Sequence, residues 1–313
     1  MGRRARSFLL SLPPLLLSLL PCAPHARRDD ASGIAASQPG RTLFHELEAG
    51  AFPGSGRPDA AVHVPPGFDA RRPAGLVVYF HGWSGCVQAA LSDTAVPCSE
   101  GGEARPASHL ASQLDDARVN ALLVAVELRA DLPTGETGQL ATVGGLRALL
   151  REVLEVHVGP ELEPAATLPV DAFEPVVLVG HSGGYQAVAT ALALGELPHV
   201  TEVVLLDGLY GADPVFDAWV GDAVEHLDAT QRFVDLYTCC GGTLERSRAL
   251  AGRARALSGP SSQEIFDDDG DFELDRSTLT RPVVFKRVPR AHGALPEAYL
   301  RPVLEAADLP RLR

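Results

Sequence analysis

Lysine occurs once in this chain, at Lys286, so 26 of its 27 basic residues are arginine. That imbalance reads as codon usage and carries no functional meaning. No basic stripe offsets an overall charge of −13 and a sequence pI near 5.2, which leaves a nucleic-acid partner without support. No CxxC spacing occurs among the five cysteines, so a zinc site is not expected. DDDGDFELD, residues 267–275, resembles a calcium loop only superficially. Aligning Gly270 with the invariant glycine puts Ile265 at the first ligand position and Arg276 at the last, and the segment reads as a solvated acidic loop. No internal repeat is visible.

Long apolar runs are also missing. The stretch 8–20 near the N-terminus is apolar over only 13 residues and is broken by prolines, too short to span a bilayer comfortably. It follows Arg3, Arg4 and Arg6, and this order of charge then apolar core is that of a secretory signal, so export is expected: periplasmic, secreted or lipid-anchored. Residues 1–26 are assigned to the signal, 27–41 to an Ala/Ser/Gly/Pro-rich linker and 42–313 to the folded domain. Two processing routes are open. A cut after Ala26 removes three arginines and no acids, giving −13 − 3 = −16, although Pro24 fits that site poorly. Lipidation at Cys22 would follow Leu19-Leu20-Pro21, with proline an unfavourable neighbour, and is the one route to a membrane. Export favours pairing of the remaining cysteines, and Cys86 and Cys98 bracket a short loop whose closure is worth about 3 kcal/mol on the chain-entropy model. Cys239 and Cys240 are adjacent, and their state is left open.

What is present is an alternation. Residues 60–68, 75–82 and 120–128 form apolar, strand-like runs, and 139–156 places leucines and valines at helical spacing. PVVLVG, TEVVLLDG, RFVDLYT and RPVVFKRV follow as strands, separated by helical patterns at 182–194, 244–257 and 295–307. Strands that are apolar on both faces, alternating with helices, predict a mostly parallel central sheet covered on both sides, an α/β fold. Two excursions break the rhythm: 86–119, and 208–230 with Phe216 and Trp219. Either is placed to border a substrate cleft or to be an ordinary surface segment.

Between the strand PVVLVG and the next helix stands Gly180-His181-Ser182-Gly183-Gly184, a G-x-S-x-G in the strand–turn–helix context that motif needs. The turn is so tight that residues two before and two after the serine must lack bulk. It lifts the hydroxyl above the sheet, beside amides at a helix N-terminus. A serine at its free pKa is a poor nucleophile and needs a base. Of the ten histidines, His292 lies after the last strand, ahead of a helix and followed by Gly293.

With the segments VPPGF, GLVVYFHGWSGC, GHSGG and AHG, the chain resembles the α/β-hydrolase superfamily over about residues 42–309, and in particular secreted esterases of the polyhydroxybutyrate depolymerase and feruloyl esterase type. The resemblance implies an α/β-hydrolase fold, a nucleophile at Ser182, a base at His292, and oxyanion donors at the Trp83 and Gly183 N–H groups. His81 is expected to bond backbone and hold its loop. The resemblance also implies that the acid follows RFVDLYT. There CCGGT carries none, Asp235 lies mid-strand, and Glu245 is already helical. Asp207, which ends TEVVLLD ahead of Gly208, is the expected acid; its alternative role is a cap or turn residue. The activity implied is cleavage of a small-molecule or polymeric carboxylic ester through an acyl-enzyme, with no cofactor and no metal. A serine peptidase or amidase on the same fold, or a non-catalytic binding protein of the same shape, are the alternatives.

Overall fold

The structure is a computed structural model that describes residues 40–48, 58–129, 136–162, 168–225, 231–259 and 265–313. The signal at 1–26, Cys22 and all of the linker before residue 40 lie outside the described residues.

The strands are β1 (Arg41–His45), β2 (Ala60–Val64), β3 (Ala74–Phe80), β4 (Val96–Pro97), β5 (Ala104–Arg105), β6 (Ala121–Val126), β7 (Phe173–His181), β8 (Val200–Leu206), β9 (Arg232–Tyr237), β10 (Ile265–Asp268) and β11 (Val283–Arg287). Among the described residues nine of them form one sheet in the order β1-β2-β6-β3-β7-β8-β9-β11-β10, while β4 and β5 make a small hairpin. β2 runs antiparallel to both neighbours, and every other pairing in the large sheet is parallel. The helices are α1 (Val87–Leu91), α2 (Leu110–Ala117), α3 (Gly145–Arg151), α4 (Gly159–Leu162), α5 (Tyr185–Leu194), α6 (Asp213–Glu225), α7 (Leu244–Ser258) and α8 (Leu295–Ala306). The mostly parallel sheet with helices on both faces, expected from the apolar strands, is what the chain forms.

Alternation along each strand divides the core in two. Leu76, Val78 and Phe80 of β3 face one side with residues of α3, α5, α6 and α7, while Val77 and Tyr79 face the other with α2 and α8. Both layers exclude water, which is why the strands carry apolar residues at consecutive positions.

The single helix expected over 139–156 is instead three pieces: a 3-10 turn (Gly138–Ala141), then α3, then a π-helical stretch (Glu152–Val158). The first break has a steric cause, because a Cβ at Gly145 would lie 2.1 Å from the Gln139 carbonyl. The chain turns there tightly enough to need a glycine. The excursion 208–230 holds α6, with Phe216, Val220, Ala223 and Val224 buried. The excursion 86–119 contains α1, the β4–β5 hairpin and α2.

Candidate active site

β7 ends at His181, and Ser182 follows with φ of 52°, in the left-handed region that a non-glycine residue enters only when its surroundings hold it there. Those surroundings are built from glycines. A Cβ at Gly184 would sit 2.2 Å from the Phe80 carbonyl, and one at Gly180 would press on Val188 and Gly184. Gly82, at the end of the His-Gly loop after β3, packs so closely that a Cβ there would be 2.5 Å from the Ser182 Cβ. The turn into α5 therefore holds the serine in its half-buried, strained position. A 3-10 turn, Ser182–Gly184, precedes α5, so the helix proper starts three residues later than its sequence pattern suggests.

The side chain of His292, 37% exposed in the loop after β11, reaches this serine: its Nε2 lies 2.9 Å from Ser182 Oγ. Its other nitrogen, Nδ1, lies 2.7 Å from Oδ2 of Asp207. Asp207 directly follows β8, with φ of 48° and no solvent exposure. Oδ1 accepts from the Thr238 N–H at 3.0 Å and from the Thr243 hydroxyl, and Oδ2 accepts from the Thr238 hydroxyl at 2.8 Å. Burial alone would raise this carboxyl, but hydrogen bonds from His292, Thr243 and Thr238 more than offset it and hold Asp207 below the ordinary carboxylate range. The carboxylate accepts through Oδ2, so Nδ1 carries the proton and Nε2 is left free to accept from the Ser182 hydroxyl.

His181 takes no part in that chain. Its Nε2 donates to the backbone carbonyl of His292 at 3.1 Å, and the two rings lie 4.9 Å apart. Burial, followed by the neighbouring His292, pushes His181 down to about 4, so at neutral pH it is an uncharged brace for the His292 loop. His81 is likewise structural in its bonds: it pairs through Nδ1 with the Gly82 carbonyl at 2.8 Å and accepts the Leu128 N–H on Nε2 at 2.9 Å.

Above Ser182 lies a cavity of about 360 Å³ bordered by Trp83, Gly183, Tyr185, Gln186, Tyr210 and His292. Both expected oxyanion residues, Trp83 and Gly183, border it. A second cavity, about 220 Å³, has Trp83 as one wall and Arg105, Pro106 and Ser108 of the 86–119 excursion as another. The 208–230 excursion meets the first cavity through Tyr210, not through the aromatics the sequence suggested. Phe216 is buried in the core, and the Trp219 indole N–H donates to the Arg232 carbonyl at 3.1 Å.

Asp235 and Glu245, the other carboxylates near the sequence position of the acid, are elsewhere. Asp235 is fully buried mid-strand facing Ser247 of α7, and Glu245 lies in the first turn of α7. The residues missed from sequence are the donors to Asp207, namely Thr238 and Thr243, together with Tyr210. The acidic loop after β10 is tied down: Lys286 donates to Asp268 and to the Gly270 carbonyl, both at 2.7 Å, and Arg248 and Arg255 pair with Asp269 and Asp267. Cys86 and Cys98 form a disulfide with Cα atoms 5.7 Å apart, and Cys239 and Cys240 form a second.

A larger cavity, about 580 Å³, lies beside β1, α1 and α2 and includes His63 held between Thr42 and Asp115 at 2.8 Å on each side. Neither a strained elbow nor a helix start presents the Thr42 hydroxyl, so size does not decide where the chemistry lies.

No family model and no curated protein matches this chain. Solved structures do. One is a mutant of the feruloyl esterase module from Clostridium thermocellum, complexed with sinapinate, which is 13% identical over 86% of this chain and 88% of its own, with a TM-score of 0.52. Another, of a protein called FAE, is 13% identical with the same coverage of both chains and a TM-score of 0.51. At such identities the likeness speaks to architecture, and together with the strand order and the serine turn it identifies the chain as having the α/β-hydrolase fold.

Proposed function

We propose that this protein is an exported serine hydrolase that cleaves carboxylic esters. The observation that carries the reading is the unbroken hydrogen-bonded chain from Ser182 Oγ through His292 to the buried carboxylate of Asp207, standing at a turn that three glycines make possible. In the reaction, Ser182 Oγ attacks the ester carbonyl while His292 Nε2 takes its proton. Asp207 fixes the tautomer and stabilises the imidazolium without accepting the proton itself. His292 then protonates the departing alcohol. Water repeats the cycle on the acyl-enzyme, with His292 as base once more.

The developing oxyanion is assigned to the N–H groups of Trp83 and Gly183, each worth about 3 kcal/mol of barrier lowering. The walls of the cavity favour a flat acyl group, since Trp83, Tyr185 and Tyr210 all border it. The esterase named among the structural neighbours is in keeping with this choice. Export is supported by the signal-like N-terminus and by two disulfides in one domain. If Cys22 is lipidated, the protein is held at a membrane.

The test is direct. Purified protein is expected to be labelled by a fluorophosphonate probe and to hydrolyse p-nitrophenyl esters, and Ser182→Ala is expected to do neither. Wild-type protein that resists the probe as fully as Ser182→Ala does would overturn the reading. A matched panel of aryl and alkyl esters and the corresponding amides separates esterase from amidase.

A further inference from the structure

The segment after β9 reads Thr238-Cys239-Cys240-Gly241-Gly242-Thr243, with no ionisable carboxyl or amine in it. Its two ends supply three of the hydrogen bonds that Asp207 accepts: the Thr238 N–H, the Thr238 hydroxyl and the Thr243 hydroxyl. Its middle is the wall against which the carboxylate lies. A Cβ at Gly241 would be 2.1 Å from Asp207 Oδ2, the same oxygen that accepts from His292. The Gly241 N–H donates to the Thr238 hydroxyl at 3.0 Å, and the Tyr210 hydroxyl donates to the Gly241 carbonyl. Any change in backbone conformation between Thr238 and Gly241 therefore moves both a donor to Asp207 and the surface it rests on.

Cys239 and Cys240 occupy that interval. They are consecutive, both exposed, and joined by a disulfide that closes a small covalent ring in the backbone. A ring of this kind restricts the torsions of the two residues immediately before Gly241. The protein's other disulfide is differently placed, because Cys86 is buried at the start of α1 and Cys98 is half-buried. Access to an attacking thiolate thus favours the 239–240 pair.

We infer that the Cys239–Cys240 disulfide is a redox-sensitive positioning element for Asp207, holding the acid loop in register when oxidised and releasing it when reduced by a dithiol. The effect on turnover rests on the serine hydrolase reading; the effect on the Asp207–His292 hydrogen bond does not. Reduction is a two-electron exchange. A thiolate of the dithiol attacks one exposed sulfur and expels the other cysteine as a thiolate, which takes up a proton. The second thiol of the reductant then displaces the remaining protein sulfur. The reductant leaves as a cyclic disulfide, and the protein keeps two thiols.

The experiment uses full-length protein titrated with dithiothreitol, with alkylation and peptide mapping to show which pair has opened. Two signals are followed: the downfield proton resonance of His292 Nδ1–H, and kcat and KM on a p-nitrophenyl ester. Opening of the 239–240 pair alone is expected to broaden or abolish the resonance. It is also expected to lower kcat on the order of ten- to a hundredfold at unchanged KM, since misplacing the acid affects chemistry and not ground-state binding. The double variant Cys239→Ser/Cys240→Ser is expected to show the same low kcat without reductant and no response to it. Cys86→Ser/Cys98→Ser is expected to retain the response. Circular dichroism on each sample separates loosening of the loop from unfolding. An opened 239–240 pair with the resonance and kcat intact overturns the inference. So does a Cys239→Ser/Cys240→Ser variant as active as oxidised wild type, or one that still responds to dithiol. If oxidised protein neither hydrolyses esters nor takes the Ser182 label, the hydrolase reading is what has failed, and the Nδ1–H resonance still decides this one.

Discussion

Replacing Asp235 by asparagine is expected to make this protein more stable at pH 8 and to leave it nearly unchanged at pH 4. Asp235 lies in the middle of β9, opposite Leu205 of β8 and Phe285 of β11, and is not exposed at all. Neither carboxylate oxygen has a hydrogen-bond partner of ordinary geometry, and the nearby Ser247 hydroxyl only partly counters the burial. Burial, with a smaller contribution from the charge of Asp207, raises this carboxyl from its ordinary 3.8 to about 7. In the unfolded chain it ionises near the lower value. Between the two values the folded state holds a proton that the unfolded state has released, so stability falls as pH rises through that window and levels off above about 7. The gap corresponds to about 4 kcal/mol at 1.36 kcal/mol per pH unit.

Asparagine keeps the volume and cannot ionise, so the difference between the two proteins isolates this one group from Glu202, which burial also raises to about 7. Urea denaturation of wild type and Asp235→Asn at pH 4 and pH 8, compared at equal m-values, is the assay. The variant is expected to gain about 2–4 kcal/mol at pH 8 and less than about 1 kcal/mol at pH 4. Ester hydrolysis is expected to persist, because Asp235 contacts neither His292 nor the cavity. Equal stability at both pH values, or a loss at pH 8, would refute the placement of a neutral carboxylic acid in the sheet.

Three further outcomes are expected. Asp207→Asn folds but loses on the order of 10³–10⁴ in kcat, because the amide no longer fixes the His292 tautomer or stabilises the imidazolium; steady-state kinetics with circular dichroism as a fold check measures this. Gly184→Ala drives a Cβ into the Phe80 carbonyl, so a drop in Tm together with lost Ser182 labelling is expected, and normal labelling at wild-type Tm would contradict the elbow geometry. Cys86→Ser/Cys98→Ser costs about 3 kcal/mol in denaturant unfolding without abolishing the fold.

The serine turn was legible because it is sterically extreme. Few residue types survive at Gly180 and Gly184, so composition alone marks the place, and the strand and helix on either side are apolar enough to read. The sheet was legible for a related reason: strands buried on both faces read as nearly continuous apolar runs, with Asp235 and Glu202 among the few buried charges. α6 was missed although Phe216, Val220, Ala223 and Val224 lie at helical spacing, since Gly208, Gly211 and Pro214 around its start suggested a loop. β10 was missed because only Ile265 and Phe266 are apolar before the aspartates begin, and what completes the strand is Lys286 neutralising Asp268 from β11. The cradle of Asp207 gave no local signal. Thr238 and Thr243 lie 31 and 36 residues from the carboxylate they bind, and a Thr-Cys-Cys-Gly-Gly-Thr segment looks like an ordinary turn until β8 and β9 pair beneath it.

That cradle bears on what the acid does. A carboxylate offers about four lone-pair directions, and Asp207 fills them with the Thr238 N–H, the Thr238 and Thr243 hydroxyls and the His292 Nδ1–H. Each donor stabilises the ionised form, and together they prevail over complete burial. A carboxylate saturated in this way is a weak base. In the proposed reaction it therefore steadies the imidazolium by its charge and direction, and the proton that leaves Ser182 stays on His292 until the leaving alcohol takes it. Asp235, on the neighbouring strand, is the counterexample within the same sheet. It is equally buried and lacks every one of those donors, and below about pH 7 protonation suppresses the charge it would add beside Asp207. Two aspartates on adjacent strands are thus shifted in opposite directions from the ordinary carboxylate value, Asp207 down through the donors of the loop that follows β9 and Asp235 up through burial. The segment where the acid was sought holds donors instead, and donors are what a carboxylate at the end of β8 requires.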